Sequence, residues 1–449
     1  MSVSKEFARY VTGLAYGNMP AEVASFAKIC ILDWLGSALA GADKPPIQMM
    51  AQVVHELGGE KQATLLTGGR SSVTQAALVN GAASHIVELD DIHKASIIHA
   101  GTVVIPAALA IAEWKQKSGR ELIEAVVAGY EVCYRIGEAV SPSHYYFWHN
   151  TATCGTFGAA VAASKLLGLC EEKIVHALGS AGTQAAGLWE FIEDGAMSKQ
   201  LHPGKAAMNG ILAALLADRG FTGASRILEG DRGFVRAMSQ EADPERMTEG
   251  LGTTYKIMEN SFKIHASCRH THHAIDLVVE MVSRYGIAWR DVEKIRVQTY
   301  QVALTITDNP EPASVYAAKF SLQYCVALAL VKGSAGLSDF TEEALHDPDI
   351  RELMRRVEVS VDPDIHARYP GKWEAAVELV LADGTTMQQH AEYPKGDPEN
   401  PVTHKEIVRK FRAMAADQPQ DKIDHFLDVI GRLEQVPDVT MLFAQMKGR

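Results

Sequence analysis

The feature that most limits how this chain can fold is a succession of helix-period apolar segments through its first 250 residues, with faces made largely of alanine and glycine. Residues 20–40 set the pattern: Pro20 suits a first helical turn, and Val23, Phe26, Ala27, Cys30, Ile31, Trp34 and Leu35 recur at helical spacing. Residues 47–57, 75–87, 103–117, 120–140, 151–167, 171–187, 204–219 and 244–250 read the same way. Runs such as Gly158-Ala-Ala-Val-Ala-Ala and Ala206-Ala-Met-Asn-Gly-Ile-Leu-Ala-Ala let helix axes approach closely, which predicts a bundle with buried central helices.

The texture changes near residue 265. Residues 293–305 alternate polar and apolar side chains, residues 357–361 do so briefly, and residues 376–381 and 385–392 flank Asp383-Gly384 as a hairpin. Helices are expected between these strands at 272–285, 321–331 and 341–347, and again at 403–415 and 420–433. The fold class read from this pattern is mainly α. A large all-helical domain from both chain ends (1–265 and 400–449) is joined by a smaller α+β lid (266–399).

With 449 residues, 47% hydrophobic and 22% charged, the chain can bury more than one core. A net charge of −12 without a basic run argues against nucleic acid. No secretion signal and no apolar run of bilayer length is read, so no membrane partner is expected and a cytoplasmic location is. Cys30, Cys133, Cys154, Cys170, Cys268 and Cys325 show no paired spacing, which fits reduced thiols rather than a disulfide frame, a zinc site or an iron–sulfur site.

Five polar sets interrupt this apolar text. In the stretch from Ser84 to Pro106, a helix runs into Glu88, Asp90, Asp91 and His93, and His99 precedes the next helix. Carboxylates and imidazoles between apolar helices are costly unless paired or used, and such element ends build proton-transfer sites; the other reading is a solvated helix end. His149 stands before a helix whose N-terminus could take an anion, or is a satisfied terminal residue. Lys199, His202 and Lys205 enter an alanine-rich helix, where a lysine can also simply snorkel. Lys263, Cys268, Arg269, His270, His272, His273 and Asp276 crowd the domain junction; three histidines in four residues invite a metal, but no His-Glu-x-x-His pattern exists. Tyr324 follows Lys319-Phe-Ser-Leu-Gln in an apolar helix, where a tyrosine is by default core.

Taken together and in this order, the sets resemble the 2-methylcitrate dehydratase (MmgE/PrpD) superfamily, which also includes cis-aconitate decarboxylases and iminodisuccinate epimerases. The resemblance rests on Glu88-Leu-Asp-Asp91 with His99, the His149 segment, Lys199-x-Leu-His202-x-Gly and Lys263 followed by Cys268-Arg269-x-x-His272-x-x-Ile-Asp276. Lys319-Phe-Ser-Leu-Gln-Tyr324 and Tyr393-Pro-Lys-Gly-Asp-Pro-Glu-Asn-Pro401 complete it. It implies a homodimer, an interdomain active site, a small di- or tricarboxylate substrate, and no metal or organic cofactor. Glu88, His99, Lys199, Lys263 and Tyr324 match positions lining the pocket of the decarboxylase branch. Ile92 stands where that branch has threonine and Cys268 where it has a catalytic histidine, a role His270 or His272 could take over.

The reading that follows is a cofactor-independent lyase, with dehydration of a 2-methylcitrate-like hydroxy acid placed first. Epimerisation and cis-aconitate-type decarboxylation are the alternatives on the same scaffold. Glu88, Asp91, His93, His99, Lys199, Lys263, Cys268 and His270 are the catalytic candidates, and His149, His202, Arg269, His272 and Tyr324 the substrate-binding ones. Fixed cations would stabilise the dianion formed when a carbon next to a carboxylate loses its proton. A more distant alternative is a metal-dependent hydrolase using Asp90, Asp91, His93 and the His270–His273 cluster.

Overall fold

A computed structural model describes residues 2–446. The fold is mainly α with a small α+β part, and it divides into two compact units. The first unit contains the chain up to Ile86, Asp90–Asn260 and the chain from Thr403 onward; the second contains Val87–Leu89 and Ser261–Val402.

In the first unit, eight helices run in order: α1 Val3–Gly13, α2 Ala21–Gly41, α3 Pro45–Leu57, α4 Val73–Ile86, α5 Gly101–Trp114, α6 Gly119–Val140, α7 Asn150–Leu167 and α8 Glu171–Gly182. The longer Ser198–Asp218 helix packs on both α4 and α7, and α5 and α6 also pack on α7. The small residues make these approaches possible. A Cβ on Gly204 would lie 2.1 Å from the Leu78 carbonyl oxygen of α4, and one on Gly158 would lie 2.7 Å from that of Gly129 in α6. Every residue of α7 from Asn150 to Ser164 is buried, so the polar groups at its start are sealed among apolar helices.

The returning His404–Met414 helix packs on α2, where Lys410 Nζ meets Asp33 Oδ1 at 2.5 Å. The sequence reading found no apolar run of bilayer length. By length and composition α2 is such a helix, but most of it is covered by neighbouring helices and it carries this buried ion pair.

The second unit is built on a four-stranded sheet in the order Val357–Val361, Val292–Thr299, Ala375–Leu381, Thr386–Ala391. The first two strands are parallel and the others antiparallel, with Val297 opposite both Val359 and Val377. The His272–Tyr285 helix packs on the hairpin strands.

Several boundaries differ from the periodicity reading, among them the helix expected over 171–187, which ends at Gly182. The strand expected over 293–305 stops at Thr299, and Gln301–Thr307 is helical, because Gln-Val-Ala-Leu-Thr fits a short helix as well as a strand. Residues 244–250 form only a 3₁₀ turn at Pro244–Met247. The helix expected from 204 begins at Ser198, so Lys199 and His202 lie inside it, ahead of Pro203.

Candidate active site

Helix α4 ends at Ile86, and the chain reverses through Glu88, whose φ of +56° is a left-handed conformation unusual for a residue with a side chain. The reversal returns Asp90 beneath His85, with His85 Nδ1 2.9 Å from Asp90 Oδ2. The loop that follows ends at the α5 N-terminus and carries His99, whose Nδ1 lies 2.8 Å from the same carboxylate oxygen. That nitrogen also lies 2.8 Å from the main-chain oxygen of Asp91. A carbonyl can only accept, so His99 Nδ1 carries the proton, and the lone pair of the neutral ring is on Nε2.

Around these rings are two more imidazoles and a cation. His149, just before α7, stacks on His85 with centroids 5.7 Å apart, and its Nδ1 is 3.1 Å from His202 Nδ1 on the Ser198–Asp218 helix. Burial depresses His149 well below the ordinary imidazole range, with His202 next and His85, Lys199 and His99 adding to the effect. Burial also lowers His202 to about 4, helped by Lys205, His85 and Lys199. Both rings are therefore neutral near pH 7 and share one proton along the 3.1 Å contact. Lys199 is 3% exposed. A base with a defined lone pair, neutral imidazoles and a buried ammonium thus come together within one unit.

Asp91 is enclosed differently. It accepts from Tyr130 Oη at 2.6 Å, Asn260 Nδ2 at 2.7 Å and the Gly101 amide at 3.1 Å. Burial raises its carboxyl to about 7, against the lowering effect of Tyr130. A Cβ on Gly101 would come within 2.7 Å of it. This geometry makes Asp91 the tie between α5, α6 and residue 260.

His93 is likewise committed. Its Nδ1 accepts from the Ser96 amide at 3.3 Å, its Nε2 faces Glu259 at 3.2 Å and Glu138 at 3.7 Å, and its ring stacks on Tyr134. Burial opposes the charge on Glu259, but His93 and Lys256 outweigh it and hold that carboxyl at about 2.

Among the described residues, two triads bring metal-type ligand atoms within 4.8 Å of one another: His85, Asp90 and His99, and His93, Glu138 and Glu259. In the first, His99 turns an N–H, not a lone pair, toward the carboxylate. In the second, Lys256 already sits 3.0 Å from Glu138 and 3.1 Å from Glu259. Protons and an ammonium thus already occupy the places a cation would take.

In the second unit the charged candidates pair with each other. Lys263 Nζ lies 3.2 Å from Glu88 Oε2 and 3.3 Å from the Glu88 carbonyl oxygen, and Lys319 Nζ donates to the Val87 carbonyl at 2.7 Å. Tyr316 Oη is 3.5 Å from Glu88 Oε1. Arg269 pairs with Asp397 of the Tyr393–Pro401 motif, contacts the Lys395 carbonyl, and donates to His272 Nδ1 at 3.0 Å. Asp276 binds His265 Nε2 at 2.8 Å and the Lys395 amide at 2.8 Å. Gly396 is required in this clasp: its φ is +97°, and a Cβ would lie 1.9 Å from the Phe262 carbonyl oxygen. His270 Nδ1 is 2.7 Å from Tyr300 Oη, its ring stacks on Trp373, and burial lowers it to about 3. Burial, then Arg269, push His272 well below its ordinary range.

Arg269, His270 and His272, expected to bind substrate or act as a base, are each engaged with protein partners here: Asp397 and His272 for Arg269, and Tyr300 for His270. The hydrolase set of Asp90, Asp91, His93 and His270–His273 is divided among unrelated partners. Cys268 caps the 3₁₀ turn Arg269–Thr271 and its amide donates to the Lys319 carbonyl. Tyr324 is fully buried beside Phe340, and burial raises its phenol. The sequence reading missed two roles: His85, and Asp90 as its partner and that of His99. Their only signal was a histidine and an aspartate five residues apart at the end of an apolar helix.

The helical unit thus carries a buried imidazole–carboxylate cluster, groups of the kind that can move protons. Residues 5–247 match the MmgE/PrpD N-terminal domain and residues 265–433 the MmgE/PrpD C-terminal domain. The chain belongs to the MmgE/PrpD family. Among its relatives, a cis-aconitate decarboxylase of Aspergillus terreus is 28% identical over 98% of this chain and 95% of its own length. The Homo sapiens cis-aconitate decarboxylase is 27% identical over 100% and 95%. The 2-methylcitrate dehydratase of Escherichia coli K12 is 24% identical over 97% of each.

Proposed function

We propose that this protein is a cofactor-independent lyase acting on a small tricarboxylic acid, with His99 as a proton-transfer group and Lys199 as a cation for a substrate carboxylate. The observation that carries this reading is the state of His99: Nδ1–H is held by a main-chain oxygen, so the lone pair of the neutral ring is at Nε2, in the same unit as the buried Lys199. Of His149 and His202, neutral by burial, the ring that accepts at Nδ1 across their 3.1 Å contact keeps an Nε2–H to donate to an anionic substrate.

Decarboxylation of a cis-aconitate-like acid is the first specific reading. It is supported by 27–28% identity to decarboxylases over 98–100% of the chain, against 24% for the Escherichia coli dehydratase. In that reaction the bond to one carboxylate breaks, carbon dioxide leaves, and the electron pair remaining on carbon takes a proton from an acid. Dehydration of a 2-methylcitrate-like acid is the second reading, favoured by Cys268 and Ile92 at positions where the decarboxylase branch carries histidine and threonine. There the base removes a proton beside a carboxylate and the acid protonates the departing hydroxyl.

Incubating the purified protein with cis-aconitate and with 2-methylcitrate, and following products by NMR, tests both. Loss of one carbon as carbon dioxide supports the first reading, and an unsaturated product retaining every carbon supports the second. No change in either acid, nor in malate- or iminodisuccinate-type acids, contradicts the proposal.

A further inference from the structure

Resting on that reading, we infer that Asp90 is a positioning residue that holds His99 through Oδ2, and that His85 is the second imidazole that keeps this carboxylate in place. Asp90 is 1% exposed, and a carboxylate so enclosed is costly unless it is paired. One of its oxygens receives two imidazole nitrogens, His99 Nδ1 at 2.8 Å and His85 Nδ1 at 2.9 Å. The two rings meet edge to face with centroids 4.8 Å apart.

The main-chain oxygen of Asp91 already fixes the tautomer of His99, so the carboxylate adds something a carbonyl cannot: a full negative charge beside the imidazolium that forms when Nε2 accepts a proton. The loop is anchored independently, because the His99 amide donates to Thr151 Oγ1 of α7 at 3.1 Å. Removing the charge therefore need not move the ring. His85 acts one step further back. It is fully buried at the end of α4, its Nδ1 meets Asp90 Oδ2 at 2.9 Å, and among the described residues its Nε2 has no hydrogen-bond partner. The ionisable groups around His99 are His85 from α4, Asp90 and Asp91 from its own loop, His149 at the start of α7, and Lys199 and His202 from the Ser198–Asp218 helix. Of these, Asp90 places a carboxylate oxygen 2.8 Å from the ring.

The test uses whole protein labelled with ¹⁵N-histidine, with His99 assigned by difference from His99→Gln. In the wild type, Nδ1 should give a protonated, pyrrole-type signal and Nε2 a pyridine-type one; the reverse tautomer overturns the inference without any variant. In Asp90→Asn the titration midpoint of His99 should move to lower pH. The kcat should fall about tenfold or more with KM near wild type, and the acid limb of the pH–rate profile should move the same way. In His85→Gln, which leaves the charge but removes one of its two imidazoles, the midpoint should move up. Should Asp90→Asn not fold, that second variant decides alone, and an unmoved midpoint overturns the inference. The NMR arm needs no substrate, so its failure is separate from that of the function: an unchanged midpoint in an enzyme that turns over a tricarboxylate removes the positioning pair alone. A shifted midpoint in a protein that turns over none leaves the pair standing and removes the proposed reaction.

Discussion

The two units hold polar groups of similar kinds, yet use them in opposite ways. In the helical unit, imidazoles outnumber charged partners: His85 and His99 share one carboxylate oxygen, and His149 and His202 share one proton. In the α+β unit almost every charge is matched: Lys263 with Glu88, Arg269 with Asp397, His265 with Asp276, and Arg368 and His390 with Glu374. Matched buried pairs resist the removal of either member, whereas groups with unused protonation capacity can do chemistry. On the proposed function the imidazole cluster of the helical unit is the working set and the matched pairs of the α+β unit are a holding set.

Breaking a matched pair should give the largest effect. Arg269→Ala leaves Asp397 buried without its cation and should cost about 3–5 kcal/mol of stability, read as a lower urea midpoint. Lys263→Ala should behave alike, since its ammonium already neutralises Glu88. If either variant retains wild-type stability while losing turnover, the α+β set is a working set and the contrast fails.

The complementary substitution, Lys199→Ala, should lower turnover about ten- to hundredfold, from the loss of one charge-assisted contact to a substrate carboxylate. Equal activity in the variant would place the carboxylate-binding cation elsewhere.

Acid should weaken both units. His144 and His202 are lowered to about 4, His270 to about 3, and His149 and His272 well below their ordinary value, each primarily by burial. An unfolded imidazole near 6.5 binds a proton that the folded one refuses, so stability is present above about pH 6.5 and lost as pH falls toward 4. Asp91 and Glu131, whose carboxyls burial raises, run the other way. With five imidazoles against two carboxylates, the urea midpoint should fall from pH 7 to pH 4.5. A midpoint that rises over that interval would show these rings to be solvated.

The smallest effect is expected from Tyr316→Phe. It removes a 3.5 Å phenol contact to Glu88 and leaves the Lys263 pair, costing about 0.5 kcal/mol, the low end for a hydrogen bond.

How far the sequence exposed this division depends on how local each cause is. Helix periodicity is local, so α2, α5, α6 and α7 were legible within about two residues, and the mainly α class with them. Gln301–Thr307 was not, because a short apolar run carries no period long enough to separate helix from strand. The start of the Ser198–Asp218 helix was hidden by Pro203, which reads as a boundary but is tolerated inside the helix.

In the candidate site, His99, Lys199, His149 and His202 were visible as polar residues in apolar surroundings. The pairing of His85 with Asp90 was not, because it depends on a left-handed turn at Glu88, a conformation no glycine announced. Arg269 and His272 were visible, but the contacts they make were not. Their partners, Asp397 and the Lys395 carbonyl, lie more than 120 residues away, and no local pattern links them. Dehydration was placed first, with Ile92 and Cys268 counting against decarboxylation; the relatives include both decarboxylases and a dehydratase, and they show the family.

The contrast is tested most directly by His99→Gln, assayed for turnover of whichever tricarboxylate the wild type consumes and for its urea midpoint in the same preparation. Glutamine keeps a polar side chain of similar reach but cannot take up a proton near neutral pH. The account predicts a kcat lower by about 10²–10⁴, a KM near wild type, a midpoint nearly unchanged, and loss of one limb of the pH–rate profile. Wild-type turnover with an intact profile would contradict it, and would make the imidazole cluster of the helical unit a holding set like the other.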